Sequence, residues 1–251
     1  MLGLAGFVGM GLIGAAATER RQALWGVVQL CVTDSKTTGS AFPCLAADLS
    51  GGEERGFVVL RPPVGRPDTI LSPTRALVGI EDPELQKPAT ANYFAAAWNA
   101  RRLAPNAERR LAELDAFALG VNSRFAREQD QLHIHIGCIP STLRRRLRAL
   151  APRLAIGVWS RADSLFPGDE TWVLRSGESD IDRLRPFSLV AQEVAKQPWG
   201  DIADFTLGVA PVKIDKAYEF VLFAIRNLGL RAHEDVASQD FIDARCGVAS
   251  E

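Results

Sequence analysis

The spacing of apolar and polar residues changes several times along the chain, and each change predicts an element. "GFVVLRP" (Gly56–Pro62) is a β-branched run closed by prolines and reads as a strand, and "DTILSPTR" (Asp68–Arg75) follows the turn "RPPVGRP" as a second. Tyr93, Phe94, Ala97 and Trp98 recur at helical spacing and predict a helix over Asn92–Leu103. Phe117–Val121 and "DQLHIHIGCI" read as two further strands, and "STLRRRLRAL" as a basic helix stopped by Pro152. The second half repeats this flavour more loosely. "TWVLRSG" reads as a strand, "DIDRLRPFSLVAQEVAK" as a helix interrupted at Pro186, and "DFTLGVAPV" and "AYEFVLFAIRN" as a strand pair turning at "KIDKA". Strand-rich halves with inserted helices predict an α+β fold on an antiparallel sheet. The halves suggest a duplication, although no motif matches between them.

The N-terminus has no alternation. Leu2–Ala17, "LGLAGFVGMGLIGAAA", carries no charge and runs directly into "TERR". It is shorter than the about 20 apolar residues of a spanning helix. It resembles a secretory apolar core with "GAAAT" as a cleavage zone, except that no Lys or Arg precedes it. Residues 1–20 are therefore expected to be a signal peptide or a membrane anchor, and residues 21–54 a cysteine-flanked loop region. Export agrees with the four cysteines. Four allow three pairings. Cys31–Cys44 and Cys138–Cys246 is the most economical, closing one small loop around "VTDSKTTGSAFP" and one long staple. The competing reading is four unrelated thiols; no zinc spacing is present. A net charge of −1 argues against a protein that wraps nucleic acid.

Two of the chain's 3 histidines fall in "QLHIHIGC". On a strand of period two, Gln131, His133 and His135 share one face while Leu132, Ile134 and Ile136 take the other. A core histidine would not explain three polar side chains in register. An HxH pair is a half-site for zinc or iron, but it needs further ligands. His233 is the only other imidazole, its setting "LRAHEDVAS" looks like a helical surface, and no motif nominates an Asp or Glu. A third option is nucleophilic chemistry. A neutral imidazole attacks phosphorus when its other ring nitrogen is hydrogen-bonded, and a second imidazole beside it stabilises developing charge on oxygen.

At these residues the chain resembles the bacterial CDP-diacylglycerol pyrophosphatases, a branch of the histidine-triad superfamily. The likeness runs through "GFVVLRP", "ILSPTRALVGIEDPEL", "NYFAAAWNARR", "LGVNSRFAREQDQLHIHIGCI", "FSLVAQEV" and "YEFVLFAIRN" to the late cysteine. The resemblance implies a histidine-triad-like domain over residues 55–250, with His133 as nucleophile and His135 in support. Gln131 stands where the superfamily signature has its first histidine. The resemblance further implies Gln131, Asn122, Ser123 and Arg124 (the last three in "VNSR") and Thr74 and Arg75 ("SPTR") as substrate-binding residues, with Arg127 a lesser candidate. Arg144, Arg145, Arg146 and Arg148 read as a solvated helix face or a contact for anionic headgroups. The implied reaction converts CDP-diacylglycerol to CMP and phosphatidate through a nucleotidyl-histidine, with no cofactor and no metal. The implied setting is the bacterial cell envelope, anchored in the inner membrane or periplasmic, at a membrane surface. The rival expectations are a metal-dependent hydrolase using the HxH pair and a non-catalytic exported nucleotide- or lipid-binding protein.

Overall fold

The computed structural model describes residues 8–62, 68–198, 200–229 and 235–247, with side chains from residue 20 onward. In chain order the helices and strands are α1 (Val8–Thr38), β1 (Ala46–Asp48), β2 (Phe57–Leu60), β3 (Thr69–Pro73), α2 (Tyr93–Ala100), β4 (Phe117–Val121), β5 (Ile134–Cys138), α3 (Ser141–Leu150), β6 (Trp159–Arg161), β7 (Glu170–Arg175), α4 (Pro186–Val194), β8 (Phe205–Ile214) and β9 (Ala217–Arg226). Among the described residues nine strands form one sheet in the order β1-β2-β3-β5-β4-β8-β9-β7-β6. Each ladder is antiparallel, as the strand-rich pattern predicted.

The order contains a repeat that the sequence only hinted at. β2-β3-β5-β4 and β6-β7-β9-β8 have the same arrangement, strand–strand–helix–strand–strand with the last strand inserted between the second and third. The halves meet where β4 pairs with β8, at Gly120 opposite Gly208. A Cβ on Gly208 would strike the Phe223 ring, and one on Gly120 would strike Phe241 and Ser238. Both glycines thus leave room for side chains crossing the junction.

Alternation along each strand divides the core between the two sheet faces. On one face α2 and α4 cover Leu71, Leu119, Ile134, Ile136, Leu207 and Leu222, and Phe94 meets Phe187 with ring centroids 4.9 Å apart. On the other, α3 and the segment around Phe241 cover Ala118, Val212 and Phe223. At that face's opposite end, α1 lays Leu24, Val28, Cys31 and Val32 on Val58, Leu60 and Ile70. That spacing is one stripe of a helix. Each fully buried aliphatic side chain contributes about 1.5–3 kcal/mol, which holds α1 on the sheet.

This helix corrects the expected loop between Cys31 and Cys44. The chain stays helical to Thr38 because Cys31 and Val32 complete the buried stripe. The Thr37 and Thr38 hydroxyls donate back to the carbonyls of Thr33 and Asp34, and Gly39 ends the helix at φ 76° with its N–H on the Ser35 carbonyl. Residues 2–7 of the apolar run lie outside the described residues. Among those described, no helix is long and apolar enough to cross a membrane.

Both disulfides pair as the spacing suggested. Cys31–Cys44 ties the end of α1 to the approach to β1, and Cys138–Cys246 ties β5 to the C-terminal segment. The second closes 108 residues and the first 13. Replacing Cys138 and Cys246 together by Ala is expected to lower unfolding free energy by about 4–5 kcal/mol, against about 3 kcal/mol for the Cys31/Cys44 pair. Urea titration of the two double variants checks this, and equal losses would refute the loop-length argument.

Candidate active site

β5 lies at the centre of the first half, with His135 paired across to Ile70 on β3 and to Gly120 on β4. The strand begins at Ile134 rather than at Asp130 as the alternation predicted. Upstream of Ile134 the ladder with β3 gives way to side-chain bonds: the Ser72 hydroxyl donates to the Leu132 carbonyl, while Leu132 N–H donates to Leu77. His133 therefore sits just before the strand, yet its ring remains beside that of His135, centroids 5.0 Å apart and planes at 63°.

The His133 Nδ1 lies 2.8 Å from the Gln131 carbonyl oxygen. A carbonyl only accepts, so Nδ1 carries the proton and the neutral ring keeps its lone pair on Nε2. Burial, reinforced by the neighbouring His135 and then by the Arg127 guanidinium, pushes His133 down to about 3; the bond to Gln131 and the Asp68 carboxylate oppose that shift without cancelling it. The ring is neutral near pH 7. His135 Nδ1 is 3.7 Å from Asp68 Oδ2, and its buried Nε2 has no hydrogen-bond partner among the described residues.

Both rings line a pocket of about 210 Å³. Its polar side is Asp68, Asn122, Glu128, Gln129 and the two histidines; its apolar side is Ala23, Leu24 and Val27 of α1 with Leu60, Pro62 and Ile70. Asn122 Oδ1 accepts from the Ser238 N–H, which fixes the amide against the C-terminal segment. Among the described residues no three His, Cys, Asp or Glu side chains come together as a metal site. His233, the remaining imidazole, lies outside the described residues.

Of the side chains expected to bind substrate, only Asn122 lines this pocket. Gln131 is buried beneath it. Its Nε2 donates to the Pro73 and Arg75 carbonyls and to Ser72 Oγ, and its Oε1 accepts from Leu77 N–H. Its amide thus binds the end of β3 and the chain just after it, while its own carbonyl orients His133. Ser123 is fully buried, its hydroxyl accepting from Asn227 Nδ2 and Ala126 N–H. Arg124 pairs with Asp201 and Asp204 at 2.8 and 2.6 Å. Thr74 donates to the Glu53 carbonyl, and Arg75 pairs with Glu84 and Glu54. Arg127 pairs with Glu81 and Asp130. Apart from Ser123, whose hydroxyl is taken by N–H donors, each of these groups is drawn aside by a nearby acid or carbonyl.

The arginine row of α3 divides the same way. Arg144 and Arg148 converge on the buried Asp115, Arg146 donates to the Leu165 carbonyl, and Arg145 is exposed. Burial raises the Asp115 carboxyl, but the two guanidinium groups outweigh it and hold the group below its ordinary range.

Sequence reasoning missed Asp68, Glu128, Gln129 and the α1 wall. Asp68 heads the strand "DTIL", two residues before the Ile70 that pairs with His135, so strand register was its signal. The α1 residues were hidden because their stripe begins just past the apolar run and its charged flank "TERR".

A family model described as CDP-diacylglycerol pyrophosphatase matches residues 19–250. A curated CDP-diacylglycerol pyrophosphatase from Yersinia pestis is 33% identical over 195 residues, covering 76% of this chain and 73% of the relative. The matched span takes in the pocket wall of α1, the histidine strand and the late cysteine, and the chain belongs to the CDP-diacylglycerol pyrophosphatase family.

Proposed function

We propose that this protein hydrolyses the pyrophosphate bond of CDP-diacylglycerol to CMP and phosphatidate, with His133 as nucleophile. Family membership supports the reaction. The observation that carries the mechanism is the His133 ring itself, protonated on Nδ1 by its bond to the Gln131 carbonyl and bearing its lone pair on Nε2 beside a second imidazole.

His133 Nε2 attacks the phosphorus next to cytidine. The N–P bond forms as the bridging P–O bond breaks, and phosphatidate leaves. Water then attacks the same phosphorus, the N–P bond breaks, CMP departs, and the proton lost from the water passes to solvent. His135 Nε2 supplies a hydrogen bond to the phosphoryl oxygens in both steps, and its lack of a hydrogen-bond partner among the described residues suits that role. The NH2 end of Asn122 serves as a further donor, since its carbonyl end is engaged by Ser238. A pocket of about 210 Å³ with apolar walls suits a single ring system better than two acyl chains. The nucleoside therefore enters it and the diacylglycerol remains outside. The apolar run Leu2–Ala17 acts as a signal or anchor that brings the protein to a membrane surface in the cell envelope. The apolar run and the two disulfides support that setting.

With CDP-diacylglycerol in mixed micelles containing EDTA, wild type is expected to release CMP. His133→Ala should fall by about 10⁴-fold or more and His135→Ala by about 10²–10³-fold. Full activity in His133→Ala would refute the mechanism, and loss of wild-type activity to EDTA alone would favour a metal-dependent one. The pH dependence follows from the lowered His133. In the unfolded chain this histidine titrates near its ordinary 6.5, so between there and about 3 the unfolded state binds the extra proton and folding stability falls as pH falls. His133→Asn should lose less stability between pH 7 and pH 5 than wild type does, as measured by denaturant midpoints. Equal losses would show that His133 is not held neutral.

A further inference from the structure

The loop before the histidines is joined to α1 in an unusual way. In a regular helix the Leu24 N–H would donate to the Arg20 carbonyl. Here the Gln129 side-chain amide stands between them: Leu24 N–H donates to Gln129 Oε1 at 2.8 Å, and Gln129 Nε2 donates to the Arg20 carbonyl at 2.9 Å. The next carbonyl is also taken, since Asp130 N–H donates to Arg21 O at 2.8 Å. The Arg21 guanidinium closes the junction with a two-point bond to the Asp130 carboxylate. A side chain inserted into the helix ladder opens the helix at that turn. Ala23, Leu24 and Val27, which wall the pocket, lie within this turn and the next.

We propose that Gln129 is a positioning residue for the reaction. By splicing into α1 it holds the Ala23–Val27 wall at the spacing from Ile70 and the histidines that grips the substrate. The inference rests on the reading that the His133–His135 pocket binds the substrate, and it adds a residue and a mode of action to that reading. Without the Gln129 amide, Leu24 N–H and Arg20 O regain each other, the turn tightens, and the wall moves relative to the loop carrying Gln131 and His133. The buried stripe of Leu24, Val28, Cys31 and Val32 still docks the helix, so the change falls on the slot and not on the fold. Substrate and transition state both depend on the slot, so the effect belongs in KM.

The test measures CMP release from CDP-diacylglycerol micelles, with CMP affinity by calorimetry as a readout apart from turnover. Gln129→Ala is expected to raise KM and the CMP dissociation constant by about tenfold with kcat little changed, because the displaced wall loosens the slot for substrate and product alike. In a double-mutant cycle with Val27→Ala the two KM effects should be less than additive, because Gln129 acts through the wall that Val27 helps form. Gln129→Glu keeps an acceptor for Leu24 N–H but sets a carboxylate oxygen against the Arg20 carbonyl, so it should resemble Gln129→Ala. It also serves as the test variant if the alanine protein does not fold. A fall in kcat with KM unchanged would mark a merely structural role and overturn the proposal. Additive effects with Val27→Ala, indicating direct contact with substrate, would overturn it too, as would wild-type KM in Gln129→Glu. A wild type that releases no CMP overturns the functional reading and this proposal with it; any of the other failures in a working enzyme overturns the proposal alone.

Discussion

The bond between the His133 ring and the Gln131 carbonyl joins the chemistry of this protein to its fold. The acceptor is a backbone atom, so the nucleophile's orientation is only as fixed as the chain at residue 131. That chain is held by a buried amide whose four partners run from Ser72 to Leu77, across the end of β3 and the turn after it. β3 in turn pairs with β5, which carries the second imidazole. The strand, the turn after it and the histidine pair form one closed loop of constraints. The same burial that immobilises the ring also keeps it neutral.

Glutamine suits the place where the superfamily signature has a histidine. A neutral imidazole offers one donor and one acceptor in a plane, whereas the carboxamide has two N–H groups and a two-lone-pair oxygen at one end of a flexible stem. The site at residues 72–77 presents two carbonyls, a hydroxyl and one N–H, and Gln131 matches that set. Its contribution is made from below the pocket through its own backbone.

How much of this was legible in the sequence depended on whether the determinant was local. Strand alternation gave the first-half strands and brought the two histidines to one face, because period two is a property of adjacent residues. The fates of Arg75, Arg124, Arg144 and Arg148 were not legible. Each pairs with acids such as Glu54, Asp201 or Asp115 that sequence spacing does not bring to mind. The α1 stripe was hidden for another reason. Leu24, Val28, Cys31 and Val32 have clear helical spacing, but they follow an apolar run that masks periodicity, and the threonines near the helix end look like a loop until their hydroxyls bond back to the helix.

The repeat in the sheet explains why a two-part fold carries one such pocket among the described residues. In strand register Phe223 occupies in the second half the place of His135, since each lies opposite its junction glycine, and Val221 occupies that of His133. Phe223 packs at 5.0 Å from Phe241 and 5.8 Å from Phe166, and Val221 is fully buried. The second half has filled the corresponding hollow with its own aromatic core. In the first half the hollow stays open because a helix from outside the repeat, α1, packs on the outer strands with Val28 and Val32 and faces the histidines with Ala23 and Val27. A duplicated sheet supplies two equivalent floors. What makes one of them a site is the pair of polar residues on β5 and its approach, together with a wall that the repeat itself does not contain.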